Sequence, residues 1–152
     1  KRVSKHQIIW GGNYFIEHLS EGHKGWIVWD KGQHGLTMSD GELAYTSFDS
    51  PLRILTYNRV ELLKDGAVHP TQKPLALFRN IIAKYSKESD LIYDPFMGSG
   101  TTARACLDLG RNFIGSEISK EYCDIADSRL AQGVLLYWKR YLTTLEHPTT
   151  RL

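Results

Sequence analysis

Residues 91–117 constrain the fold of this chain more than any other segment. Leu91-Ile92-Tyr93 has the apolar character of a short strand, and Asp94-Pro95-Phe96-Met97-Gly98-Ser99-Gly100 follows as a glycine-bearing loop. Thr101 to Leu109 reads as a helix closed by Gly110. Asn112-Phe113-Ile114-Gly115 is the next strand and runs into Ser116-Glu117. Strand, glycine loop, helix, strand, acid is the opening half of a nucleotide-type α/β unit. A loop that leads from a strand into a helix N-terminus gathers backbone N–H groups and a positive dipole end at one point. Gly98 and Gly100 let the backbone approach a ligand with no Cβ in the way. Glu117 lies 23 residues after Asp94, where an acid accepts hydrogen bonds from ribose hydroxyls. The pair points to an adenosine-bearing cofactor.

The loop chemistry narrows the choice. A phosphate loop wants a lysine followed by serine or threonine after its last glycine, whereas Gly100 is followed by Thr101-Thr102. Residues 98–103 read G-S-G-T-T-A, and the dinucleotide fingerprint tolerates alanine in its third glycine position. Spacing therefore leaves a dinucleotide open. Asp94 argues against it, because a carboxylate repels a pyrophosphate and attracts an ammonium group. S-adenosylmethionine carries an α-amino group and a sulfonium, and it fits that charge better.

The rest of the chain reads as one soluble α/β domain. Its 152 residues are 41% hydrophobic and 24% charged, which excludes a disordered tail or a low-complexity linker. No apolar run approaches the roughly 18 residues of a membrane span. Cys106 and Cys123 are too few for a disulfide framework and lack zinc-site spacing, so a reducing cytoplasm is the expected location. His6, His18, His23, His34 and His147 have no metal spacing either, and no metal is expected. The chain opens with Lys1-Arg2-Val3-Ser4-Lys5, without Met and without the apolar stretch of a signal peptide. It is read as processed or as a piece of a longer protein. Residues 1–87 carry 12 basic and 8 acidic side chains, a balance of +4, and residues 88–152 carry 7 and 9, a balance of −2. The basic half is compatible with a polyanionic partner.

Upstream, Ile8-Ile9-Trp10 and Trp26-Ile27-Val28-Trp29 read as buried strands, and Leu43 to Phe48 as a third. Asn13 to Leu19 reads as a short helix with Tyr14, Phe15 and Leu19 on its apolar face. Residues 32–41 form a loop, Arg53 to Tyr57 a further strand and Asp65-Gly66 a turn. Pro74 opens a helix whose apolar face is Leu75, Leu77, Phe78, Ile81, Ile82 and Tyr85. Ser119 caps a helix from Lys120 to about Ala131, with Tyr122, Ile125, Ala126 and Leu130 inward. Residues 132–152 read as a helical tail with Leu135, Leu136, Trp138 and Tyr141 partly buried.

Two sets of segments carry a family resemblance. Asp94 to Thr102, preceded by His69-Pro70-Thr71-Gln72-Lys73-Pro74 and followed by Ile114-Gly115-Ser116-Glu117 and Tyr122, is similar to the permuted (β-type) DNA amino-methyltransferases. Ile8 to Phe15, Gly25 to Lys31 and Ser39 to Tyr45 resemble their phage and restriction-modification branch. The resemblance extends to about Leu130. It implies a Rossmann-like S-adenosylmethionine-dependent methyltransferase fold, α/β, with a mostly parallel sheet and helices on both faces. It also implies methyl transfer from S-adenosylmethionine to adenine N6 or cytosine N4 in double-stranded DNA. Likeness in the Trp10–Tyr45 region leans to adenine. By position, Asp94, Phe96, Gly98 and Gly100 would line the methionine end of the cofactor, Glu117 would hold its ribose, and Ser99 and Thr101 would also bind the cofactor. Thr71 and Lys73 would sit near the cofactor carboxylate, although a helix cap and a solvated lysine explain them as well. The expected division is a methyltransferase domain over 1–131 and the tail over 132–152. Within the domain, 1–48 would supply strands of the catalytic half, 49–68 a variable target-recognition segment and 69–131 the cofactor half. So short a recognition segment suits a short DNA site or help from a homodimer partner.

One departure matters. The family's catalytic Asp-Pro-Pro-Tyr, or a close variant, is absent: the five prolines stand apart from one another. Asp94-Pro95-Phe96-Met97 is superficially similar but belongs to the cofactor loop, so no catalytic residue is assigned. In the permuted order the missing motif would precede Lys1. Its strand would lie between the strands at Leu91–Tyr93 and Ile8–Trp10, which leaves the fold incomplete on its N-terminal side. Rival readings are a cofactor- or DNA-binding pseudoenzyme, a nicotinamide-dependent oxidoreductase, and an RNA or protein methyltransferase.

Overall fold

The structure, a computed structural model, describes residues 3–19, 23–58 and 72–131. The Asp65-Gly66 turn, Thr71 and the 132–152 tail lie outside them. The chain divides into two compact units, Lys1–Ala67 and Val68–Leu152.

The first unit is built on a four-stranded sheet. Its strands are β1 (Ile8–Trp10), β2 (Trp26–Asp30), β3 (Gly41–Thr46) and β4 (Arg53–Thr56), in the order β1-β3-β2-β4. β3 pairs antiparallel with β1 (Ile9 opposite Tyr45) and with β2 (Val28 opposite Leu43), whereas β4 pairs parallel with β2 (Val28 opposite Ile54). The loop expected at 32–41 joins β2 to β3 and is pinned by the Lys31 N–H donating to the Asp40 carbonyl at 2.9 Å.

β2 is only half-buried. Successive side chains of a strand point to opposite faces, so Ile27 and Trp29 are buried while Trp26, Val28 and Asp30 are partly exposed. The apolar run Trp26–Trp29 had suggested a strand buried on both faces. The indole Nε1 of Trp29 donates to the Tyr57 carbonyl at 2.9 Å, which satisfies its polar edge inside the core.

The expected helix after Asn13 is a 3₁₀ segment, Gly12–His18, with a break in helical geometry at Phe15. Three residues per turn place side chains differently from an α-helix. The expected apolar face is therefore not formed: Tyr14 is 82% exposed and Phe15 53%.

The second unit holds α1 (Leu75–Tyr85), β5 (Leu91–Asp94), α2 (Thr101–Asp108), β6 (Asn112–Gly115) and α3, a helix over 120–131. β5 and β6 are parallel, with Asp94 opposite Gly115. Leu75 and Ile82 of α1 pack with Ala105 and Cys106 of α2, and Phe78, Ile92, Leu109 and Phe113 close around them. Asp108 fastens the two helices, accepting from Arg79 Nε at 2.7 Å and from Arg104 Nη2 at 2.9 Å. Gly110, at φ +69°, ends α2 in the left-handed conformation its sequence position suggested.

Of the four strand pairings among the described residues, two are antiparallel and two parallel. The fold is mixed α/β, and the mostly parallel sheet is not what these strands form. The expectation fails in the first unit because the short β2–β3 loop forces an antiparallel return.

The two cysteines differ in environment. Cys106 is fully buried and its thiol is pushed up from 9.0 to about 11 by burial. Cys123 is partly exposed. A disulfide-exchange dye at pH 8 is expected to label Cys123 in the native chain and Cys106 only on unfolding. The unfolded thiol ionises first, so burial of Cys106 lowers stability as pH rises from 9.0 towards about 11 and has no effect below that window.

Candidate cofactor site

The site is built at the C-terminal ends of β5 and β6. The parallel pairing continues past both strands: the Ser116 N–H donates to the Asp94 carbonyl at 3.0 Å, and the Met97 N–H to the Ser116 carbonyl at 2.9 Å. That continuation brings the two acids to one loop. Asp94 Oδ1 accepts the Phe96 N–H at 3.0 Å, and Oδ2 accepts the Thr102 hydroxyl at the start of α2. Glu117 Oε2 accepts the Gly98 N–H at 2.8 Å, and Oε1 accepts the Ser119 N–H at 2.9 Å. Each carboxylate is thereby held in a fixed plane by two donors. Charge-assisted bonds of this kind are the stronger class of hydrogen bond.

The glycines serve backbone geometry. Gly98 has φ +55° and Gly100 φ +81°, the left-handed region that side-chain-bearing residues avoid. A Cβ on Gly100 would come within 3.0 Å of Ala126 Cβ, so this glycine also admits α3 against the loop. Ser99, between them, is buried at 4% exposure and donates to Gln72 Oε1 at 2.9 Å. Arg129 of α3 reaches the same point, donating to the Ser99 carbonyl at 2.7 Å and to Ser99 Oγ at 2.9 Å.

The structure thus gathers Asp94, Gly98, Ser99, Gly100, Thr101 and Glu117 around one loop. Phe96 joins it through its backbone, and its ring stands 87% exposed. Lys73 is half-buried beside Gln72, just before α1. Gln72, Thr102 and Arg129 bond the loop from neighbouring elements and were not among the residues expected at the site. Gln72 sits between the two residues singled out in its motif. Arg129 stands three positions after Ala126, on the inward face of α3, where an arginine in sequence reads as a solvated cation.

The residues fit an adenosine-bearing cation. Two carboxylates face a loop in which Gly98 leaves room for a close backbone approach, whereas the space at Gly100 is taken by Ala126. Ile118, next to Glu117, is an exposed apolar side chain that suits the face of a purine.

Elsewhere, the turn after β2 is tied by its own contacts. Asp30 accepts the Gly32 N–H at 2.8 Å and the Thr56 hydroxyl at 3.0 Å, and these bonds hold its carboxyl below the usual range. Lys31 pairs with Glu42 at 3.2 Å. No group of three or more possible metal ligands occurs among the described residues, and no described helix is long and apolar enough to cross a membrane.

A parallel strand pair with a glycine loop and an acid at each strand end defines a nucleotide-cofactor unit of the Rossmann-like class. The N6/N4 DNA methylase family model matches residues 4–128, and the chain belongs to this family. An orphan methyltransferase of Bacillus amyloliquefaciens, M.BamHII, is 49% identical over 69 residues, which are 45% of this chain and 26% of that protein. The matched part spans about a quarter of the length of the curated relatives it matches. Among solved structures, the M1.HpyAVI–SAM complex is similar at 32% identity and TM-score 0.66, covering 82% of this chain and 74% of that one. The cytosine-N4-specific PvuII DNA methyltransferase shares the fold at 17% identity and TM-score 0.58, over 78% of this chain and 56% of that one.

Proposed function

We propose that this chain is the C-terminal part, without the catalytic tetrapeptide, of a permuted DNA methyltransferase that transfers a methyl group from S-adenosylmethionine to a base in double-stranded DNA, adenine N6 in the first instance. One observation carries the reading: Asp94 and Glu117, at the ends of paired parallel strands, both bond the glycine loop. In this reading Asp94, Phe96, Gly98 and Gly100 hold the methionine end, Glu117 orients the ribose, Thr71 and Lys73 face the carboxylate, and Ser99 and Thr101 complete the cofactor site. Bound there, the cofactor supplies an electrophilic methyl group. The chain's own residues fix its position and exclude water from its charged end. Residues 1–48 support the target base and 49–68 read the DNA, with a second copy assisting.

No Asp-Pro-Pro-Tyr occurs in the 152 residues. β1 and β5 each end their sheet, with one edge unpaired by a strand among the described residues. An unpaired edge needs a partner or a cover. By itself, then, the chain binds cofactor without turnover.

Calorimetric titration of the purified chain should show binding of S-adenosylhomocysteine and none of NAD. Incubation with tritiated S-adenosylmethionine and duplex DNA should leave the DNA unlabelled. Tight NAD binding without S-adenosylhomocysteine binding would overturn the assignment, and tritium in the DNA would overturn the inactivity. A protein that also carries the tetrapeptide should yield N6-methyladenine on digestion of its DNA product. N4-methylcytosine there would transfer the reading to the other amine.

A further inference from the structure

We infer that Arg129 is a positioning residue that locks the glycine loop in the form that receives the cofactor's amino-acid end. The inference rests on the cofactor reading above and extends it to a residue on α3, outside the loop. Ser99 lies between two glycines with positive φ. Glycines have the widest choice of backbone conformation and lose the most freedom when ordered. A loop with two of them can turn over the peptide plane between, unless something holds its carbonyl. Arg129 Nη1 donates to that carbonyl at 2.7 Å, to Ser99 Oγ at 2.9 Å and to Thr101 Oγ1 at 3.5 Å. Ser99 Oγ in turn donates to Gln72 Oε1 at 2.9 Å, so the serine is held from both sides. The Ser99–Gly100 peptide is thereby fixed next to the left-handed turn at Gly100, where Ala126 also touches the loop. Arg129 and Ala126 lie one helical turn apart and act on consecutive residues of the loop. A guanidinium suits this task because its rigid donor fork loses little freedom for each bond it makes.

Two probes separate positioning from general support. S-adenosylhomocysteine carries the amino-acid end, and 5′-methylthioadenosine shares the adenosine but lacks it. Arg129→Ala should weaken S-adenosylhomocysteine binding by about 10- to 100-fold, as expected for losing charge-assisted hydrogen bonds. Binding of 5′-methylthioadenosine should change by less than about threefold. Amide hydrogen exchange over residues 97–101 should quicken in the same variant. Arg129→Lys keeps the charge and one donor, so it should recover part of the affinity. Should Arg129→Ala fail to fold, Arg129→Lys carries the same comparison, with the loss again confined to S-adenosylhomocysteine. Equal losses for the two probes, or an unchanged affinity for S-adenosylhomocysteine, would overturn the inference while leaving the cofactor reading intact. Failure of the wild-type chain to bind either probe would overturn the cofactor reading and the inference with it.

Discussion

The double variant Asp94→Asn with Glu117→Gln is expected to bind S-adenosylhomocysteine at least about 100-fold more weakly than the wild-type chain, an effect of about 3 kcal/mol or more. The geometry at Glu117 explains the size. Both of its carboxylate oxygens accept backbone N–H groups, from Gly98 and from Ser119. A glutamine has one oxygen and one NH₂, so in either orientation a donor faces a donor. The side chain must then leave the loop or leave an N–H unsatisfied. Asp94 adds the loss of charge beside the expected ammonium of the ligand. Calorimetry measures the affinity, and circular dichroism checks that the fold persists. Unchanged affinity in a folded double variant would remove the site from these residues.

Gly100→Val is expected to destabilise the chain by about 2–5 kcal/mol, the sum of a left-handed backbone penalty and overpacking. Position 100 has φ +81°, and a Cβ there meets Ala126 Cβ at 3.0 Å and Ala126 Cα at 3.2 Å. The neighbour is helix backbone and cannot swing aside. Gly98→Ala is the control. Its φ is +55°, but the nearest atom to a new Cβ is the Phe96 carbonyl oxygen at 4.0 Å, so only the backbone penalty of about 1–2 kcal/mol remains. Urea unfolding of the two variants should separate them. Equal losses would mean that α3 does not press on the loop as the structure describes.

Much of the second unit was legible from local pattern. The strand at Asn112–Gly115 and the helix over 120–131 occupy the expected residues, and the Thr101 helix ends one residue short of expectation, at Asp108. These elements carry their own punctuation: Gly110 stops one helix and Ser119 caps another, its Oγ accepting the Tyr122 N–H at 3.4 Å. The first unit was less legible. Its strands were found, but their pairing depends on contacts distant in sequence, such as Ile9 with Tyr45. The aromatic run Tyr14-Phe15 suggested a buried face because its residues are apolar. Whether such a face is covered depends on geometry that a 3₁₀ segment does not share with an α-helix.

By itself the chain's order of residues determined that a strand, a glycine loop, a helix and a second strand would bring two acids to one loop. That follows because backbone preferences and short connections act over a few residues. Only the tertiary structure decided what holds the loop still. Arg129 lies 30 residues from Ser99, and no local pattern marks an arginine on a helix face as the partner of a buried carbonyl. A hydrogen bond of that kind exists only once α3 has packed against the loop at Gly100.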